Sequence, residues 1–210
     1  RMLTLSYGER RLALIARAFA MRPRLLLLDE VFNGLDLAAR RRLHGILDAL
    51  ARTRTPWVIS AHRAEDLPRR ATHWAELAGG RLKRLRRAPE LAETGSASRK
   101  RAGRARARGR EGAGATLIEL RDVSIYRDYR KVLANVDWKI SAGEQWGLVG
   151  ANGVGKSTLL KLIYGDIAPA LGGVIERYGH APGEHIEKFK RRVGWVAPEL
   201  QSDLAALASI

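Results

Sequence analysis

The sequence contains no cysteine, which excludes disulfide bonds and thiolate metal sites. It also lacks any uninterrupted apolar run near the roughly 18–20 residues that a helix needs to span a bilayer. Acidic residues are outnumbered, because 22 Asp and Glu stand against 38 Lys and Arg, which gives a formal net charge of +16. Since 46% of the residues are hydrophobic, the chain can still build a buried core, and a wholly disordered protein is excluded.

A basic stretch poor in large apolar residues divides the sequence in two. Residues 86–112 hold nine basic and three acidic residues. Because like charges repel and little apolar surface is available for burial, we predict a disordered linker over residues 86–115. One interpretation makes it a solvated tether, and another makes it a tether that also contacts RNA, DNA or anionic lipid. The absence of interleaved aromatic residues for base stacking favours the first interpretation.

Residues 1–85 alternate between helical and strand patterns. Ser6 and Glu9 form an S-x-x-E capping box ahead of an apolar stripe with helical spacing, which predicts a helix. The run Leu25–Leu28 is too short for a helix and is typical of a buried parallel strand. The other elements predicted here are a helix capped by Asp36, a strand over 57–60 and a hairpin over 72–85 with a glycine turn.

The part of the chain that follows the basic stretch returns to globular patterning. Two antiparallel strands are predicted over 117–123 and 132–140, and a further short strand over 193–196. Between them, the buried strand Gln145–Val149 leads into a glycine-rich turn and a helix that begins near Lys156.

The glycine-rich turn carries the sharpest chemical signal. The segment GANGVGKST, from Gly150 to Thr158, fits G-x-x-x-x-G-K-[ST] between a predicted strand and a predicted helix, the context that a phosphate-binding loop requires. Glycines let backbone N–H groups converge on phosphate oxygens, Lys156 reaches the β- and γ-phosphates, and the Ser157 hydroxyl is placed to bind Mg²⁺. The alternative, a chance glycine turn with a surface lysine, does not account for the flanking strand and helix. The predicted nucleotide-binding residues are Gly150, Asn152, Gly153, Gly155, Lys156, Ser157 and Thr158.

Two further features lie where predicted strands end. The pair Asp29–Glu30 follows the four-leucine strand, at the edge of an open α/β sheet where ligands bind. Asp29 can hold Mg²⁺ through water, and Glu30 can orient or deprotonate an attacking water. His62 follows the next strand, where it could contact a γ-phosphate. Taken singly, such a pair is more often the start of a loop and a lone histidine is more often structural, so both roles depend on the ordered series of motifs.

Together these segments resemble an ATP-binding cassette (ABC) ATPase. Leu5–Glu9 resembles the LSGGQ signature of that family, with Tyr7 in place of the first glycine and Glu9 in place of glutamine. The other matching segments are Leu25–Glu30 for the Walker B strand with its catalytic glutamate, Asn33–Asp36 for the D-loop, His62 for the switch histidine and Gly150–Ser157 for Walker A. A closer resemblance is to tandem two-cassette ATP-binding proteins of the molybdate-transport and photorepair type.

The resemblance implies a P-loop NTPase of the α/β class that uses ATP and Mg²⁺, with a mostly parallel sheet and an antiparallel β subdomain. It implies catalytic roles for Glu30 and His62. The implied metal contacts are Ser157, Asp29 and Gln201, and the implied nucleotide contacts outside Walker A are Ser6, Gly8 and Asp36. The family has an adenine-stacking aromatic residue ahead of Walker A. Tyr126 is the predicted stacker, although simple alignment places Arg127 there, and a guanidinium plane can also stack.

The order of the motifs differs from that of a single cassette, in which Walker A comes first. The simplest interpretation is a fragment from the middle of a tandem protein. Residues 1–85 would be the back half of one cassette, residues 86–115 the linker, and residues 116–210 the front half of the next cassette. In the intact protein, Lys156 would then face the signature residues of the first cassette, and this fragment would lack a complete hydrolytic site in the native arrangement.

The two halves are nevertheless complementary, so we also expect that they can pair as a permuted cassette. The Leu25–Leu28 strand would then lie beside Gln145–Val149. Asp29 and Glu30 would come close to Lys156. The linker makes this closure feasible, because the entropy cost of closing a loop grows only slowly with its length.

The function implied is ATP binding and hydrolysis that drives a partner, most simply a membrane importer of the molybdate type whose channel is another chain. The implied partners are ATP, a permease subunit and the second cassette of the full-length protein, and the implied location is the cytoplasm, with peripheral attachment at the inner face of the plasma membrane. The alternative is a soluble ABC ATPase that acts on nucleic acid or the ribosome, which the charge of +16 favours. A regulatory module without turnover is a third hypothesis, against which Glu30 argues.

Overall fold

The computed structural model describes residues 6–68, 71–85, 114–170, 172–180 and 184–200. The predicted linker lies almost entirely outside the described residues, and so does Gln201. We call the described residues up to 85 the first stretch and those from 114 onward the second stretch. The first stretch contains α1 (Tyr7–Ala20), β1 (Leu25–Leu28), α2 (Leu37–Ala51), β2 (Trp57–Ala61), a 3-10 turn (Ala64–Asp66), β3 (His73–Ala78) and β4 (Arg81–Leu85). The second stretch contains β5 (Thr116–Arg127), β6 (Arg130–Ser141), β7 (Gln145–Val149), α3 (Lys156–Tyr164), β8 (Val174–Arg177), α4 (Ile186–Lys190) and β9 (Val193–Val196).

The central sheet interleaves strands from both stretches. Its order is β4-β3-β7-β2-β1-β9, and every pairing is parallel except that between β3 and β4. A second sheet of three antiparallel strands has the order β6-β5-β8. The predicted α/β class, with a mostly parallel sheet and an antiparallel β unit, is confirmed.

The predicted neighbour of β1 was wrong. We expected β1 beside β7, but β2 lies between them and pairs in parallel with both strands. Consecutive parallel strands joined by a helix usually pair directly, so β2 takes the edge of β1 that the prediction had given to β7. The strand β9 occupies the other edge of β1, with Leu28 opposite Val196.

Burial on both faces explains the leucine run in β1. Leu25 and Leu27 belong to the core that packs against α3 and the antiparallel sheet, and Leu26 and Leu28 belong to the core under α1 and α2. Successive side chains of a strand point to opposite faces, so a strand covered on both sides reads as a continuous apolar run. All four leucines are at most 2% exposed.

The caps of the first two helices form as predicted. Ser6 Oγ accepts the Glu9 N–H at 3.3 Å, and the Glu9 carboxylate accepts the Ser6 N–H at 2.8 Å, which completes the capping box of α1. Asp36 Oδ1 accepts the Ala39 N–H at 2.7 Å and caps α2. The sequence patterns did not predict β8 or α4, which are short and weakly patterned.

Side-chain contacts join the two stretches at the end of the sheet remote from the phosphate loop. The Gln145 N–H donates to Thr72 Oγ1 at 2.9 Å, and the Gln145 side-chain amide donates to the carbonyls of Ala51 and Thr53. The His73 ring stacks on Trp146 with centroids 4.8 Å apart. The association of the two stretches therefore has specific polar contacts as well as strand pairing.

Candidate nucleotide-binding site

The phosphate loop connects β7 to α3 and leaves the start of α3 open to a ligand. Gly155 is the N-cap of α3 with φ of +106°, and no side chain caps this helix. The φ favours glycine, and a Cβ on Gly155 would also be tightly placed, 3.1 Å from side-chain atoms of both Val132 and Leu133. The N–H groups of the first turn are therefore available to an anion, which the helix dipole favours.

The Lys156 side chain contacts the backbone of the phosphate loop. Its Nζ donates to the carbonyls of Gly150 and Ala151, each at 2.9 Å, and lies 3.2 Å from Oε1 of Glu30. Lys156 is 2% exposed, so its charge is removed from water and is compensated by these groups. The ammonium group thus lies between the phosphate loop of the second stretch and a carboxylate of the first.

Ser60 links the two carboxylate-bearing residues at the end of β1. Its hydroxyl donates to Asp29 Oδ1 at 2.5 Å and accepts the backbone N–H of Glu30 at 3.0 Å. The backbone of Glu30 is left-handed, with φ of +44°, and its side chain is held by the Asn33 amide, which donates to Oε2 at 2.7 Å. The Glu30 backbone is therefore held by Ser60 on β2, and its carboxylate is held by Asn33 in the loop after β1.

Burial raises the pKa of Asp29 above its ordinary value, although hydrogen bonds from Ser60 and Ser157 act in the opposite direction. The side chain is almost fully buried, with 1% of the residue exposed. The contact with Ser157 brings a carboxylate of the first stretch to the hydroxyl of the phosphate loop. A cation bound between the Asp29 carboxylate and the Ser157 hydroxyl would stabilise the charged form of Asp29, which burial separates from water.

A cavity of about 240 Å³ opens above the phosphate loop. Its lining residues are Glu30, Arg127, Val132, Gly153, Gly155, Lys156, Ser157 and Thr158. The structure thus brings Glu30 of the first stretch together with five of the predicted Walker A residues. Gly150 lies at the base of the loop, where a Cβ would come within 2.5 Å of the Leu77 carbonyl oxygen, and Asn152 is exposed at the loop surface.

Several other predicted site residues in the described part of the chain do not line this cavity. His62 directly follows β2 and does not line it. Tyr126 is 53% exposed, with Lys131 Nζ 5.3 Å from its ring centroid, and it does not line the cavity either. Ser6 and Asp36 act as helix caps in this structure.

The signature segment packs on the D-loop segment of the same stretch. A Cβ on Gly8 would lie 2.9 Å from the Ala39 Cβ, and a Cβ on Gly34 would lie 3.0 Å from the Tyr7 ring. The Tyr7 hydroxyl accepts a hydrogen bond from the buried Arg11 at 2.7 Å. Tyr7, the residue that departs from the LSGGQ pattern, is thus fixed by its own helix and by Gly34.

Sequence reasoning missed the roles of Ser60, Asn33 and Val132 in the site, and it named Arg127 only as the alternative to Tyr126. Ser60 and Asn33 hold the carboxylates, and Arg127 and Val132 form one wall of the cavity. For Ser60, the only sequence signal was a hydroxyl side chain at the end of an otherwise apolar strand. The position of Val132 depends on a strand irregularity that the local sequence does not reveal.

Comparison with known proteins agrees with this geometry. Residues 133–207 match the family model described as ABC transporter. This matched segment is similar to the ATP-binding domains of that family. Residues 1–62 match a second model, described as an AAA domain, putative AbiEii toxin, Type IV TA system. The P-loop NTPase class that the resemblance to ABC ATPases implied is therefore confirmed.

Similar ABC proteins cover nearly the whole chain. The chain is 30% identical over 208 residues to an uncharacterized ABC transporter ATP-binding protein of Schizosaccharomyces pombe. The aligned region covers 96% of this chain and 43% of that relative. The chain is 30% identical over 213 residues to the ABC transporter ATP-binding protein ModF of Escherichia coli, covering 95% of this chain and 44% of ModF. The methionine import ATP-binding protein MetN of Clostridium acetobutylicum is 40% identical over 83 residues, which are 38% of this chain and 26% of MetN. The chain thus spans less than half the length of the two relatives that cover it.

Proposed function

We propose that the cavity above the phosphate loop binds ATP and that the chain hydrolyses it with Glu30 as the catalytic carboxylate. The observation that carries this proposal is the 3.2 Å contact between Lys156 Nζ and Glu30 Oε1, which joins a Walker A loop to the residue after a Walker B strand. Lys156 follows β7 and Glu30 follows β1, so both lie at the carboxyl end of parallel strands that flank β2, where open α/β sheets bind ligands.

Each group in the proposed site has a role that follows from its chemistry. The backbone N–H groups at the start of α3 and the Lys156 ammonium bind the phosphates, because both supply positive charge at the closed end of the cavity. Glu30 orients a water molecule and accepts its proton as that water attacks the terminal phosphate. His62, at the end of β2, is proposed to contact the γ-phosphate once a nucleotide is present.

The residues present also fit Mg²⁺. Within the described part of the chain, no group of three His, Cys, Asp or Glu side chains could hold a metal ion without other ligands. This suits Mg²⁺, which keeps several waters and takes phosphate oxygens beside one or two protein groups. The hydrogen-bonded Asp29 carboxylate and Ser157 hydroxyl are the groups that would hold it, and Mg²⁺ would neutralise phosphate charge. Gln201 remains a proposed third contact and lies outside the described residues.

Calorimetric titration of the chain with Mg-ATP tests the proposal. Lys156→Ala is expected to weaken binding at least about tenfold, since it removes a buried charge that faces phosphate. Lys161→Ala is the matched control, because Lys161 lies on the same helix and pairs with Glu199 at 2.9 Å, outside the cavity. Equal affinity of the wild type and Lys156→Ala would contradict the proposal.

The organisation of the longer protein is also proposed. Residues 1–85 are the back half of one cassette and residues 116–210 the front half of the next, with residues 86–115 as the linker. The motif order supports this, and so does the fit of the two stretches into one sheet. In that intact protein Lys156 would face Ser6 and Gly8 of the first cassette, and Glu30 would serve a nucleotide held by the first cassette's own Walker A loop, whereas in this chain Glu30 lies beside Lys156. Sequencing the flanking reading frame tests it: a Walker A ahead of this chain and a Walker B after it are expected.

The proposed partner is a membrane permease, with the ATPase in the cytoplasm at the inner face of the membrane and a molybdate-type substrate. Support comes from the family match and from the names of the relatives. No helix in the described ranges is long and apolar enough to cross a bilayer. A soluble ABC ATPase acting on nucleic acid is the second candidate, favoured by the charge of +16. Co-purification separates them: a permease supports the first, and salt-sensitive RNA or DNA supports the second.

A further inference from the structure

Two arginines lie side by side where two neighbouring parallel strands begin. Arg24 directly precedes β1, and Arg192 directly precedes β9. The first residues of these strands, Leu25 and Val193, are register partners. The Arg24 N–H donates to the Arg192 carbonyl at 2.7 Å. Because adjacent strands are only about 4.8 Å apart, the sheet brings two positive charges together at the edge where both strands start.

The two guanidinium groups converge on Gly179, in the turn that follows β8. A Cβ on Gly179 would lie 2.7 Å from Arg24 Nη1 and 3.5 Å from Arg192 Nη1. The Arg192 Nη1 group also donates to the Gly179 carbonyl. Gly179 has φ of +83°, so its backbone conformation and its missing side chain both suit this close approach. The two side chains therefore face the same place.

The charges of this arginine pair are not compensated by the protein groups that the structure describes. No carboxylate in the described ranges lies within ion-pair distance of Arg24 or Arg192. Glu119 on β5 and Glu176 on β8 are both paired with Arg121 instead. Two like charges that face one place repel each other, so this arrangement favours an anion that contacts both.

The space beside the arginine pair limits the size of a ligand. Both arginines are exposed, and they line a narrow cavity of about 20 Å³. Its other lining residues are Leu25, Leu117, Ile118, Tyr178, Phe189 and Val193. A cavity of this volume holds about one water-sized group, so it cannot admit a base or an aliphatic chain. Recognition at this place therefore depends on the two positive charges at the surface.

We propose that Arg24 and Arg192 form a second anion site, which binds a phosphate-type oxyanion as the free ion or as a terminal phosphate monoester. Each guanidinium presents its N–H groups as a flat fork, which matches two oxygens of a tetrahedral anion. The site is independent of the proposed ATP site, because Arg24 precedes β1 whereas Glu30 follows the other end of the same strand.

This anion site requires both stretches of the chain. Arg24 belongs to the first stretch, and Arg192 and Gly179 belong to the second. A bound oxyanion would contact the first residue pair ahead of the β1–β9 ladder and would join the two stretches there. Binding to the interleaved sheet would therefore stabilise the association of the two stretches, since a ligand stabilises the state that it binds.

The test is an NMR titration of the whole chain with its glycines isotope-labelled. The titrants are sodium phosphate, methyl phosphate and sodium chloride at matched ionic strength. The Gly179 amide signal reports on the proposed site, and the Gly155 amide signal reports separately on the phosphate loop, which can also bind phosphate. Lys156→Ala removes the lysine of that loop and leaves the arginine pair intact.

The variants change the charge or the fork of one arginine at a time. They are Arg24→Gln, Arg24→Lys and Arg192→Gln. Arg24→Gln leaves the hydrogen bond between Arg192 and Gly179 in place, so its melting temperature in chloride is expected to equal that of the wild type. Arg191→Gln is the matched control, because Arg191 is exposed and adjacent in sequence but does not line the cavity.

The proposal expects the wild-type Gly179 signal to shift saturably with phosphate, with half-saturation at about 1–10 mM, and to move little with chloride. Arg24→Gln and Arg192→Gln should raise the half-saturating concentration at least about fivefold. Arg24→Lys should recover only part of this loss, because an ammonium group lacks the fork. Arg191→Gln and Lys156→Ala should titrate at Gly179 like the wild type.

The two phosphate titrants distinguish the sources of the ligand. Tighter binding of methyl phosphate than of phosphate would assign the site to a terminal monoester, and the reverse would assign it to the free ion.

Three results would overturn the inference. The first is a Gly179 signal that phosphate does not move, and the second is a signal that chloride moves equally. The third is an equal loss in Arg24→Gln and Arg191→Gln, which would attribute the effect to net charge alone. Because Gly155 is read separately, phosphate binding at the loop cannot produce the expected pattern.

Discussion

The ammonium of Lys156 lies 3.2 Å from Oε1 of Glu30, although the two residues belong to stretches on opposite sides of the basic segment. Lys156 follows β7 and Glu30 follows β1, and β2 between them supplies Ser60 to both carboxylate-bearing residues. A single residue pair thus connects the proposed phosphate-binding lysine of one stretch with the proposed catalytic carboxylate of the other.

Replacement of Glu30 is predicted to lower ATP turnover without changing ATP affinity. Glu30→Gln keeps the shape and the Asn33 contact but cannot accept a proton, so ATP turnover of the chain should fall about 10²–10⁴-fold while ATP affinity is kept. Steady-state phosphate release and calorimetry on the same sample measure the two quantities. Turnover equal to that of the wild type would remove Glu30 from the catalytic assignment.

Replacement of Ser60 tests the support of the carboxylates. Ser60→Ala leaves the buried Asp29 carboxylate and the Glu30 N–H without this partner, so the free energy of unfolding should fall by about 1–3 kcal/mol. Ser124→Ala is the control, because Ser124 Oγ accepts a single N–H, from the exposed Asn135. Urea unfolding compares the two. A loss in Ser60→Ala no greater than in Ser124→Ala would show that the buried hydroxyl is dispensable.

Two glycine substitutions have opposite predicted effects. Gly155→Ala forces an L-residue to φ of +106° and brings its Cβ to 3.1 Å from Val132, so both stability and ATP affinity should fall. Gly45→Ala lies within α2, where a Cβ would meet nothing within 4 Å, so it should stabilise the chain by about 0.5–1 kcal/mol. Thermal unfolding measures both. A stable Gly155→Ala variant with normal affinity would contradict the described loop.

The pH dependence of stability should include a contribution from His73. Burial lowers the pKa of His73 below its ordinary value, although Glu144, 3.6 Å away, raises it in part and Arg84 lowers it. The unfolded chain therefore binds a proton more readily, and stability is lost as the pH falls through about 6.5 toward the lowered value.

His73→Gln should flatten this slope between pH 7.5 and 5. His185→Gln, at an exposed histidine outside the sheet, should keep it. Urea unfolding across this pH range gives both slopes. Equal slopes in the wild type and in His73→Gln would place the titrating group elsewhere.

Local signals predicted the separate elements well. The capping box at Ser6, the cap at Asp36, the four-leucine strand and the Walker A turn all follow from spacing and residue type over a few positions. These features depend on residues that are close in sequence, so the sequence alone was sufficient to predict them.

Features that depend on distant neighbours were not predictable in the same way. The place of β2 beside β1 follows from direct pairing of consecutive strands, and the cavity wall of Arg127 and Val132 lies at an irregularity of the β5–β6 pairing. Both depend on register between strands, which residue type alone does not specify. The support of Asp29 by Ser60 likewise needs two strands side by side.

The most direct test of the interleaved sheet, on which the site depends, is a cysteine pair in this cysteine-free chain. Glu76 on β3 is the register partner of Val149 on β7, so Glu76→Cys/Val149→Cys should form an intramolecular disulfide. Mass spectrometry of the digested, non-reduced chain should find the two peptides joined. Glu76→Cys/Glu187→Cys is the control, with the second cysteine on α4. A disulfide that is absent, or that forms only between chains, would contradict the account.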